Sequence, residues 1–497
     1  MKKKLTVWLL LAAMLTSTLA ACSGTNPDTP ETSAPSGTQT DAVQTTDTEV
    51  VTETGRAGAK DTLPEALRFD GKTVNILAMK ELADYDVWGE GEGSADIVFD
   101  AVYNRNKAVE ERLGVEIVPD IHAVKWQDYS NLMRNMVNGG DDTYDFFFAM
   151  GNATIQSGND NLFLDLSGAK YLDFEQKWWW KDAMEELSLD GSTIRYLVGD
   201  ISLSHYMMSG CTIFNKSLYT DALGSPEELY QLVLDGGWTL DKLREFGETA
   251  YNDVNGNGAV DAGDLYGSII GNPELIKQLE YATDLRRYSR DENGFIQLDY
   301  DEDRAAALTE KLCALLYETP GIEYRSSYTP STSFAQREMV FYLERLRVAT
   351  GAALREMEDD YGVVPLPKMD DAQKEYKTLI HNNAEYVVVP KTAPAPDMSC
   401  AVIEALCAES YRSVVETFYE KALKLKYSRD ALSGQCIDLI SRSARKNILY
   451  EYNDVFNCGT VITTCVVAKN TNFASTFAKV KNTSTRVIQK YMEKFVK

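Results

Sequence analysis

The chain is poor in basic residues and in histidine, and both shortages exclude classes of activity. Its 497 residues hold 50 Lys plus Arg against 75 Asp plus Glu, a formal net charge of −25. Nucleic-acid binding needs a surplus of clustered Lys and Arg, so this balance argues against a nucleic-acid partner. There are only three histidines, at positions 122, 205 and 381, and the motifs GxSxG, HExxH and GxxxxGK[ST] are absent. The sequence therefore gives no support to the hydrolase, metalloprotease and nucleotide-binding chemistry that those motifs carry.

Cysteine is also sparse. Apart from Cys22 there are seven, an odd number, at positions 211, 313, 400, 407, 436, 458 and 465, and they form no CxxC pair. If Cys400 and Cys407 share a helix, they lie about 10.5 Å apart along its axis, which is too far for a disulfide. The pattern predicts small buried hydrophobic residues rather than a disulfide or metal framework.

The N-terminus has the pattern of a secretory signal. Lys2, Lys3 and Lys4 precede an apolar run from Leu5 to Leu19, which is shorter than the roughly 20 apolar residues of a membrane-spanning helix. The run ends Leu19-Ala20-Ala21-Cys22 and resembles the bacterial lipobox. That resemblance implies a lipoprotein signal peptide over residues 1–21 and a mature protein tethered by lipid on Cys22. We expect it at the extracellular face of the cytoplasmic membrane, or on the periplasmic side if there are two membranes.

A polar segment follows the signal. Residues 22–62 are rich in Thr, Ser and Pro and contain no aromatic residue. Such a segment buries too little apolar surface to offset the entropy of ordering it, so we predict a disordered tether. The folded part is then expected over residues 63–497.

The next segments alternate between strand and helix patterns. Lys72 to Met79 has a strand pattern, and a helix pattern runs through Val98, Val102 and Val109. A strand pattern from Gly114 to Val118 precedes a helix from Trp126 to Gly139, in which residues 129, 132, 133, 136 and 137 share one face and Gly139-Gly140 supplies the stop. The nearly continuous apolar run from Tyr144 to Met150 is typical of a strand covered on both faces. This order predicts an α/β architecture.

The same order of segments resembles the bacterial extracellular solute-binding proteins of family 1, the sugar-type binding proteins of ABC importers. The likeness continues at residues 163–167, 196–200, 213–219, 237–243, 361–367 and 385–390. Each piece is short, but together they extend over nearly all of residues 63–497.

The resemblance implies an α/β, two-lobed, periplasmic-binding-protein-like fold (type II) with a cleft and a hinge between the lobes. The first lobe is expected over about 63–155 and 380–435, and the second over about 156–379 and 436–497. The implied function is non-enzymatic: a monomer captures a carbohydrate, with an oligosaccharide as the leading ligand, and delivers it to ABC permease subunits. Ligand binding would favour the closed form of the hinge.

Two other functions stay open at this point. A lipid-anchored surface hydrolase acting on carbohydrate would share the signal and the tether, and glycoside hydrolysis needs only two suitably spaced carboxylates. A binding protein for a peptide or another polar solute would share the fold as well. The paired-lobe pattern favours binding over hydrolysis.

A local motif predicts a structural calcium ion. Residues 253–264 match the twelve-residue loop D-x-[DN]-x-[DN]-G, with oxygen donors at the positions that calcium loops use. Asp264 replaces the usual Glu at position twelve, and Gly258 at position six permits the turn. The alternative is a polar Asn-Gly turn without an ion. The expected ligands are Asp253, Asn255, Asn257, Asp261 and Asp264 through their side chains and Ala259 through its carbonyl.

Carbohydrate contacts are expected from aromatic, amide and carboxylate side chains in loops that follow strands. Trp88, Asn152 and Tyr206 are the first candidates. The further candidates are Asp86, Tyr281, Glu344 and Tyr452.

Overall fold

Two separate β-sheets organise the chain. The structure is a computed structural model that describes residues 56–89, 91, 96–158, 161–326, 328, 330–419 and 431–493. The predicted signal peptide, Cys22 and most of the predicted tether lie outside the described residues. In the described part of the chain, no helix combines the length and the apolar character that crossing a membrane requires.

The first sheet has the strand order β12-β3-β1-β2. Strand β1 runs parallel to β2 and β3, whereas β12 runs antiparallel to β3. The strands are β1 Lys72–Met79, β2 Val115–His122, β3 Phe146–Met150 and β12 Glu385–Val388. Strand β3 is buried along its whole length, which confirms the prediction from its continuous apolar run.

The second sheet has the strand order β10-β4-β9-β5-β8. Strand β5 is parallel to β8 and β9, while β4 is antiparallel to β9 and β10. The strands are β4 Gly210–Asn215, β5 Tyr266–Ile270, β8 Ile322–Tyr324, β9 Met339–Arg345 and β10 Tyr361–Val364. Two smaller pairings, β6 Tyr288–Arg290 with β7 Ile296–Leu298 and β11 Thr378–Leu379 with β13 Ala444–Arg445, complete the strands described.

Helices cover the sheets and join them. In the first half they are α1 Lys80–Asp86, α2 Ile97–Leu113, α3 Trp126–Gly139, α4 Gly151–Gly158, α5 Lys181–Leu187, α6 Ser204–Met207, α7 Lys216–Leu223, α8 Pro226–Leu234 and α9 Leu240–Ala250. In the second half they are α10 Pro273–Tyr281, α11 Glu302–Tyr317, α12 Pro330–Ala335, α13 Ala352–Arg355, α14 Pro396–Glu409, α15 Ala431–Ser443, α16 Ile448–Glu451, α17 Asn453–Phe456, α18 Val461–Val467 and α19 Phe473–Met492.

Helix α3 shows how closely the local pattern determines an element. It begins at Trp126 and ends at Gly139, as the sequence predicts. Gly140 follows in the left-handed conformation, with φ 75°, which a residue without a Cβ adopts at little cost. Tyr129, Met133 and Val137 form the buried face.

The predicted lobes agree with the sheets only in part. The strands of the first sheet lie within residues 63–155 and 380–435, and those of the second lie within 156–379. Residues 163 and 197, however, pair with the region around β12 through the bridges Phe163–Pro390 and Leu197–Val387. This stretch of the predicted second lobe therefore packs beside the first sheet, and the residues at which the lobes divide stay a prediction.

The end of the predicted tether packs against the domain. The Arg56 guanidinium lies 4.3 Å from the centre of the Tyr411 ring, and Asp61 pairs with Arg112 at 3.2 Å. The Thr62 hydroxyl donates to the Glu404 carboxylate at 3.1 Å. Residues 56–62 thus make charged and polar contacts with the domain that their composition does not reveal, and the boundary at residue 63 stays a prediction.

Three consecutive tryptophans hold two buried carboxylates. The indole N–H groups of Trp178 and Trp179 donate to Glu404 at 3.2 and 2.9 Å, and that of Trp180 donates to Asp200 at 2.9 Å. Glu404 lies in α14, so these bonds join the segment before α5 to a helix that packs on α2. All cysteines in the described part of the chain are buried, as the sequence predicts, and the described residues contain no disulfide.

Burial of Glu404 generates a stability prediction. Burial raises the pKa of Glu404 from 4.5 to about 7, although the indole donors oppose this shift. Between these two pH values the folded state keeps a proton that the unfolded state has released, so this group's contribution to stability is lost as pH rises toward 8. Relative to Glu404→Gln, which mimics the protonated form, the wild type should lose about 1–3 kcal/mol of unfolding free energy between pH 5 and pH 8.

Urea denaturation of both proteins at pH 5, 6, 7 and 8 measures this difference. Exposed Glu292→Gln is the matched control, and its difference from the wild type should stay constant over the same range. A constant difference for Glu404→Gln would contradict the prediction.

Candidate functional site

A narrow polar cleft lies at the carboxyl end of β3. Its other sides are formed by α10, which follows β5 of the second sheet, and by the segments that flank β12 and β13. It is lined by Asn152, Ile155, Lys277, Asn382, Tyr450, Glu451, Asn453, Asp454, Val455 and Thr460. Its volume of about 40 Å³ is far below the roughly 300–1,000 Å³ of typical ligand pockets. In this conformation the cleft has room for water-sized groups only.

The pairing of β3 with β12 forms one wall of the cleft. Met150 pairs with Glu385, and the next amides donate to the segment before β12: Gly151 to the Ala384 carbonyl at 3.0 Å and Asn152 to the Asn382 carbonyl at 3.2 Å. A Cβ at Gly151 would lie 2.8 Å from Glu451 Oε2 and 2.9 Å from the Tyr386 ring. Only glycine allows so close an approach at this turn.

A charged network from α10 borders the same wall. The Glu274 carboxylate lies 2.6 Å from Lys277 Nζ and 3.3 Å from His381 Nε2. Burial disfavours the charge on Glu274, but the contacts with His381 and Lys277 outweigh it and lower its pKa to about 2. His381 accepts the Asn383 N–H at Nδ1 and is mostly buried, and burial lowers its pKa. Its Nε2 faces Glu274 at 3.3 Å without the geometry of a hydrogen bond.

A fully buried ion pair closes the floor of the cleft. Lys446 Nζ lies 3.0 Å from Glu451 Oε1, and both side chains have no solvent exposure. Lys446 also lies 4.7 Å from the centre of the Tyr386 ring. Burial lowers the pKa of Lys446, while the Glu451 carboxylate opposes that shift.

A second cavity adjoins the cleft on the other side of this ion pair. Its volume is about 310 Å³, and we call it the α5–α10 groove. Lys446 belongs to its wall and Glu451 to the cleft wall, so the pair separates the two spaces. The polar lining of the groove comprises Asp182, Glu186, Thr283, Asp284, Arg287, Tyr288, Lys377, Thr378, Arg445 and Asn447.

Two of the predicted ligand contacts line these spaces. Asn152 lies in the cleft. Tyr281 lines the groove, where its hydroxyl donates to the Gly459 carbonyl at 2.6 Å and its ring lies 5.4 Å from that of Tyr450. Trp88 is 41% exposed just after α1 and lines neither space. Its role in ligand binding stays a prediction.

The other predicted contacts have partners inside the protein. Asp86 is fully buried and accepts hydrogen bonds from the Ser202 hydroxyl at 2.6 Å and the Ser204 N–H at 3.0 Å. Burial raises the pKa of Asp86 and, helped by Asp86 itself, that of neighbouring Glu385. Burial thus disfavours the charged form of both carboxyl groups, and Asp86 is engaged by Ser202 and Ser204 inside the protein in this conformation.

Tyr206, Tyr452 and Glu344 also serve local packing here. The buried Tyr206 hydroxyl donates to Asp200 at 2.6 Å. The Tyr452 ring stacks on Phe456 with centres 5.2 Å apart, and Glu344 pairs with the Arg345 guanidinium at 2.6 Å. Their burial depends on long-range packing that their flanking residues do not reveal, and their role in ligand binding stays a prediction.

Sequence reasoning missed several cleft residues: Lys277, Asn382, Tyr450, Glu451, Asn453, Asp454 and Thr460. The sequence pattern points to loops that follow strands, whereas Asn382 precedes β12, and Tyr450 and Glu451 lie in a four-residue helix. One signal was available, because the run His381-Asn382-Asn383 is a polar cluster directly before a predicted strand.

The predicted calcium loop is an exposed, highly ordered turn between α9 and β5. Within the described residues, no group of three or more His, Cys, Asp and Glu side chains is placed to hold a metal ion. The loop would therefore have to draw on amide and carbonyl oxygens from Asn255, Asn257 and Ala259 beside Asp253, Asp261 and Asp264.

The fold is that of ABC transporter solute-binding proteins, which are two-lobed. A cyclic α-maltosyl-1,6-maltose binding protein from Arthrobacter globiformis aligns with a TM-score of 0.57 at 12% identity, covering 84% of this chain and 100% of that one. A solute-binding protein from Thermotoga lettingae, bound with α-D-tagatose, aligns with a TM-score of 0.54 at 13% identity over 84% and 100% of the two chains. UgpB from Mycobacterium tuberculosis, in complex with glycerophosphocholine, aligns with a TM-score of 0.55 at 11% identity over 85% and 100%.

No protein-family model and no curated protein sequence matches the chain. At these identities the structural likeness establishes the fold, and the chemistry must be argued from this chain's own residues.

The buried ion pair generates a stability prediction. Lys446→Met leaves the Glu451 charge buried without its partner and should lower the free energy of unfolding by about 3–5 kcal/mol. The double variant Lys446→Met, Glu451→Gln removes the charge as well and should recover at least half of that loss. Denaturant unfolding of the wild type, both single variants and the double variant gives the coupling energy. Additive losses would contradict the pairing.

Proposed function

We propose that the protein is a substrate-binding component of an ABC importer that captures a carbohydrate, with an oligosaccharide as the leading ligand. The observation that carries this proposal is the polar cleft at the carboxyl end of β3, in a two-lobed fold shared with sugar-binding proteins. Ligands of open α/β sheets bind outside the carboxyl ends of the strands, which is where this cleft lies.

The cleft supplies the groups that polyol recognition needs. Asn152, Asn382 and Asn453 offer amides that both donate and accept, and Lys277 donates from an ammonium group. Glu451 and Asp454 accept hydrogen bonds from hydroxyl groups. A hydroxyl-rich solute can add hydrogen bonds to these groups, which an apolar solute cannot form.

Binding requires the lobes to open. The cleft of about 40 Å³ is too small for a sugar ring. Arg347, after β9 of the second sheet, pairs at 3.0 Å with Glu81 in α1, directly after β1 of the first sheet. This exposed pair lies between the two sheets, so it would break on opening and re-form on closure, at a cost of about 1 kcal/mol or less.

Lipid anchoring completes the proposal. The support is the sequence of residues 1–22, a basic start, an apolar run and Leu19-Ala20-Ala21-Cys22. An anchored binding protein stays beside its permease on the outer face of the cytoplasmic membrane, where it can deliver ligand at high local concentration.

A carbohydrate hydrolase is the second candidate, because Glu451 and Asp454 place two carboxylates in one cleft. Glu451 is bound to Lys446 at 3.0 Å, so its negative charge is already neutralised. That arrangement suits a structural or hydrogen-bonding role better than a general acid, which needs a proton to give.

A glycan panel tests the binding function. We expect at least one oligosaccharide to raise the melting temperature of the purified protein and to be recovered unchanged. Asn382→Ala should weaken that ligand's affinity at least tenfold, about 1.4 kcal/mol, because a hydrogen bond to the ligand is lost.

The matched control is Asn293→Ala, in the exposed turn between β6 and β7 and outside both cavities. Its affinity should equal that of the wild type, by calorimetry. Release of shorter sugars would establish the hydrolase instead, and stabilisation by phosphodiesters or peptides alone would replace carbohydrate as the ligand class.

Anchoring is tested in cells. Cys22→Ser removes the thiol that would carry lipid, so the protein should move from the membrane fraction to the soluble fraction. Fractionation and immunoblotting measure this, with Ser23→Ala as the control that should stay with membranes. An unchanged distribution for Cys22→Ser would contradict lipid anchoring.

A further inference from the structure

We propose that the loop of residues 253–264, which joins α9 to β5, binds one calcium ion and thereby braces the second sheet. The proposal goes beyond solute capture, because the loop lies before β5 and contributes no residue to the cleft. Its failure would leave the proposed function untouched.

The loop is already folded around its oxygen donors. The Asp253 carboxylate accepts the amides of Gly256 at 2.7 Å and Gly258 at 2.7 Å through its two oxygens. Asn255 Oδ1 accepts the Asn257 amide at 3.0 Å, and Asn257 Oδ1 accepts the Ala259 amide at 2.7 Å. These side chains therefore turn inward along the loop, with their amide groups reaching Asp261 at 2.8 and 2.7 Å.

A buried carboxylate oxygen without a hydrogen-bond partner independently supports a cation site at the loop. Asp264 is only 2% exposed, and its Oδ1 has no hydrogen-bond partner among the described residues. Its other oxygen accepts the Asp261 amide at 3.0 Å and the Tyr251 hydroxyl at 2.9 Å, so the carboxylate is held against the loop. The same hydroxyl lies 3.4 Å from the Ala259 carbonyl. A buried anionic oxygen without a donor is costly, and a cation would satisfy it.

Calcium is the cation that these donors suit. All six expected donors are oxygens: three carboxylates, two side-chain amides and one backbone carbonyl. Hard Ca²⁺ takes six to eight oxygen ligands in flexible geometry, whereas Mg²⁺ demands an octahedron, and softer ions favour nitrogen or sulfur. Two of the donor side chains are neutral and position twelve is the shorter Asp, so we expect modest affinity.

Tyrosines connect the loop to the second sheet. Tyr251 directly follows α9 and donates to Asp264, while Tyr266 in β5 donates to the Asp261 carbonyl at 3.0 Å. Asn252 and Leu265 form a bridge at the base of the loop. An ion bound here would tie the end of α9 to the start of β5, so the expected consequence is added stability.

Terbium luminescence tests the site directly, because Tb³⁺ replaces Ca²⁺ at oxygen sites and Tyr251 and Tyr266 lie close enough to sensitise it. Titration of chelator-treated protein should give tyrosine-excited emission that saturates at one ion per chain and is displaced by Ca²⁺ but not by equimolar Mg²⁺. Added Ca²⁺ should also raise the melting temperature by about 2 °C or more.

Two variants and a control make the result decisive. Asp264→Asn keeps the size of the side chain but removes its charge, and Asp253→Asn makes the same change at the start of the loop. Each variant should bind Tb³⁺ and Ca²⁺ at least tenfold more weakly than the wild type. Asp142→Asn, an exposed residue in the loop before β3, should bind as the wild type does. Emission that is absent in the wild type, or equal in all four proteins, would overturn the proposal.

Discussion

The antiparallel pairing of β12 with β3 is the constraint on which the site depends. After the strands of the second sheet, residues 385–388 form β12, which adds a strand to the first sheet. In this pairing Glu385 lies opposite Met150. This register brings the end of β3 to the segment that leaves the second sheet, so Asn152 and Asn382 line one cleft. A slip of one residue would reverse the faces of β12 and remove Tyr386 from the core. The fully buried Tyr386 fixes the register against that slip.

Buried ionisable side chains surround the junction between β3 and β12. Lys446 with Glu451, and Asp86 with Glu385, lie around the same strand, and all four are buried. The Lys446–Glu451 ion pair is expensive to separate because either partner alone would be a buried unpaired charge, whereas for the two acids Asp86 and Glu385 burial disfavours the charged form. The junction therefore tolerates few arrangements.

Local sequence determined the elements of the first sheet and left the cleft undetermined. The bounds of β1 and α3 follow from periodicity and from the Gly140 stop, because both signals act within one element. The position of a cleft residue such as Glu451 depends on contacts between segments that lie hundreds of residues apart in the sequence. Neither periodicity nor residue type encodes those contacts. The same limit explains Tyr206 and Tyr452, whose burial by distant rings could not be read from their flanking residues. The calcium motif is the opposite case, because all its donors lie within twelve residues.

The loop and the cleft share one strand but act at opposite ends of it. The five residues of β5 extend over about 16 Å, twice the roughly 8 Å Debye length at physiological ionic strength. Screening at the exposed loop therefore keeps a bound cation from attracting or repelling groups in the cleft. The loop can therefore affect ligand binding only by changing the position of β5. That strand is followed by Asn272, the N-cap of α10, and α10 carries Glu274 and Lys277. Because β8 and β9 hold β5 from both sides, that position is largely fixed by the sheet.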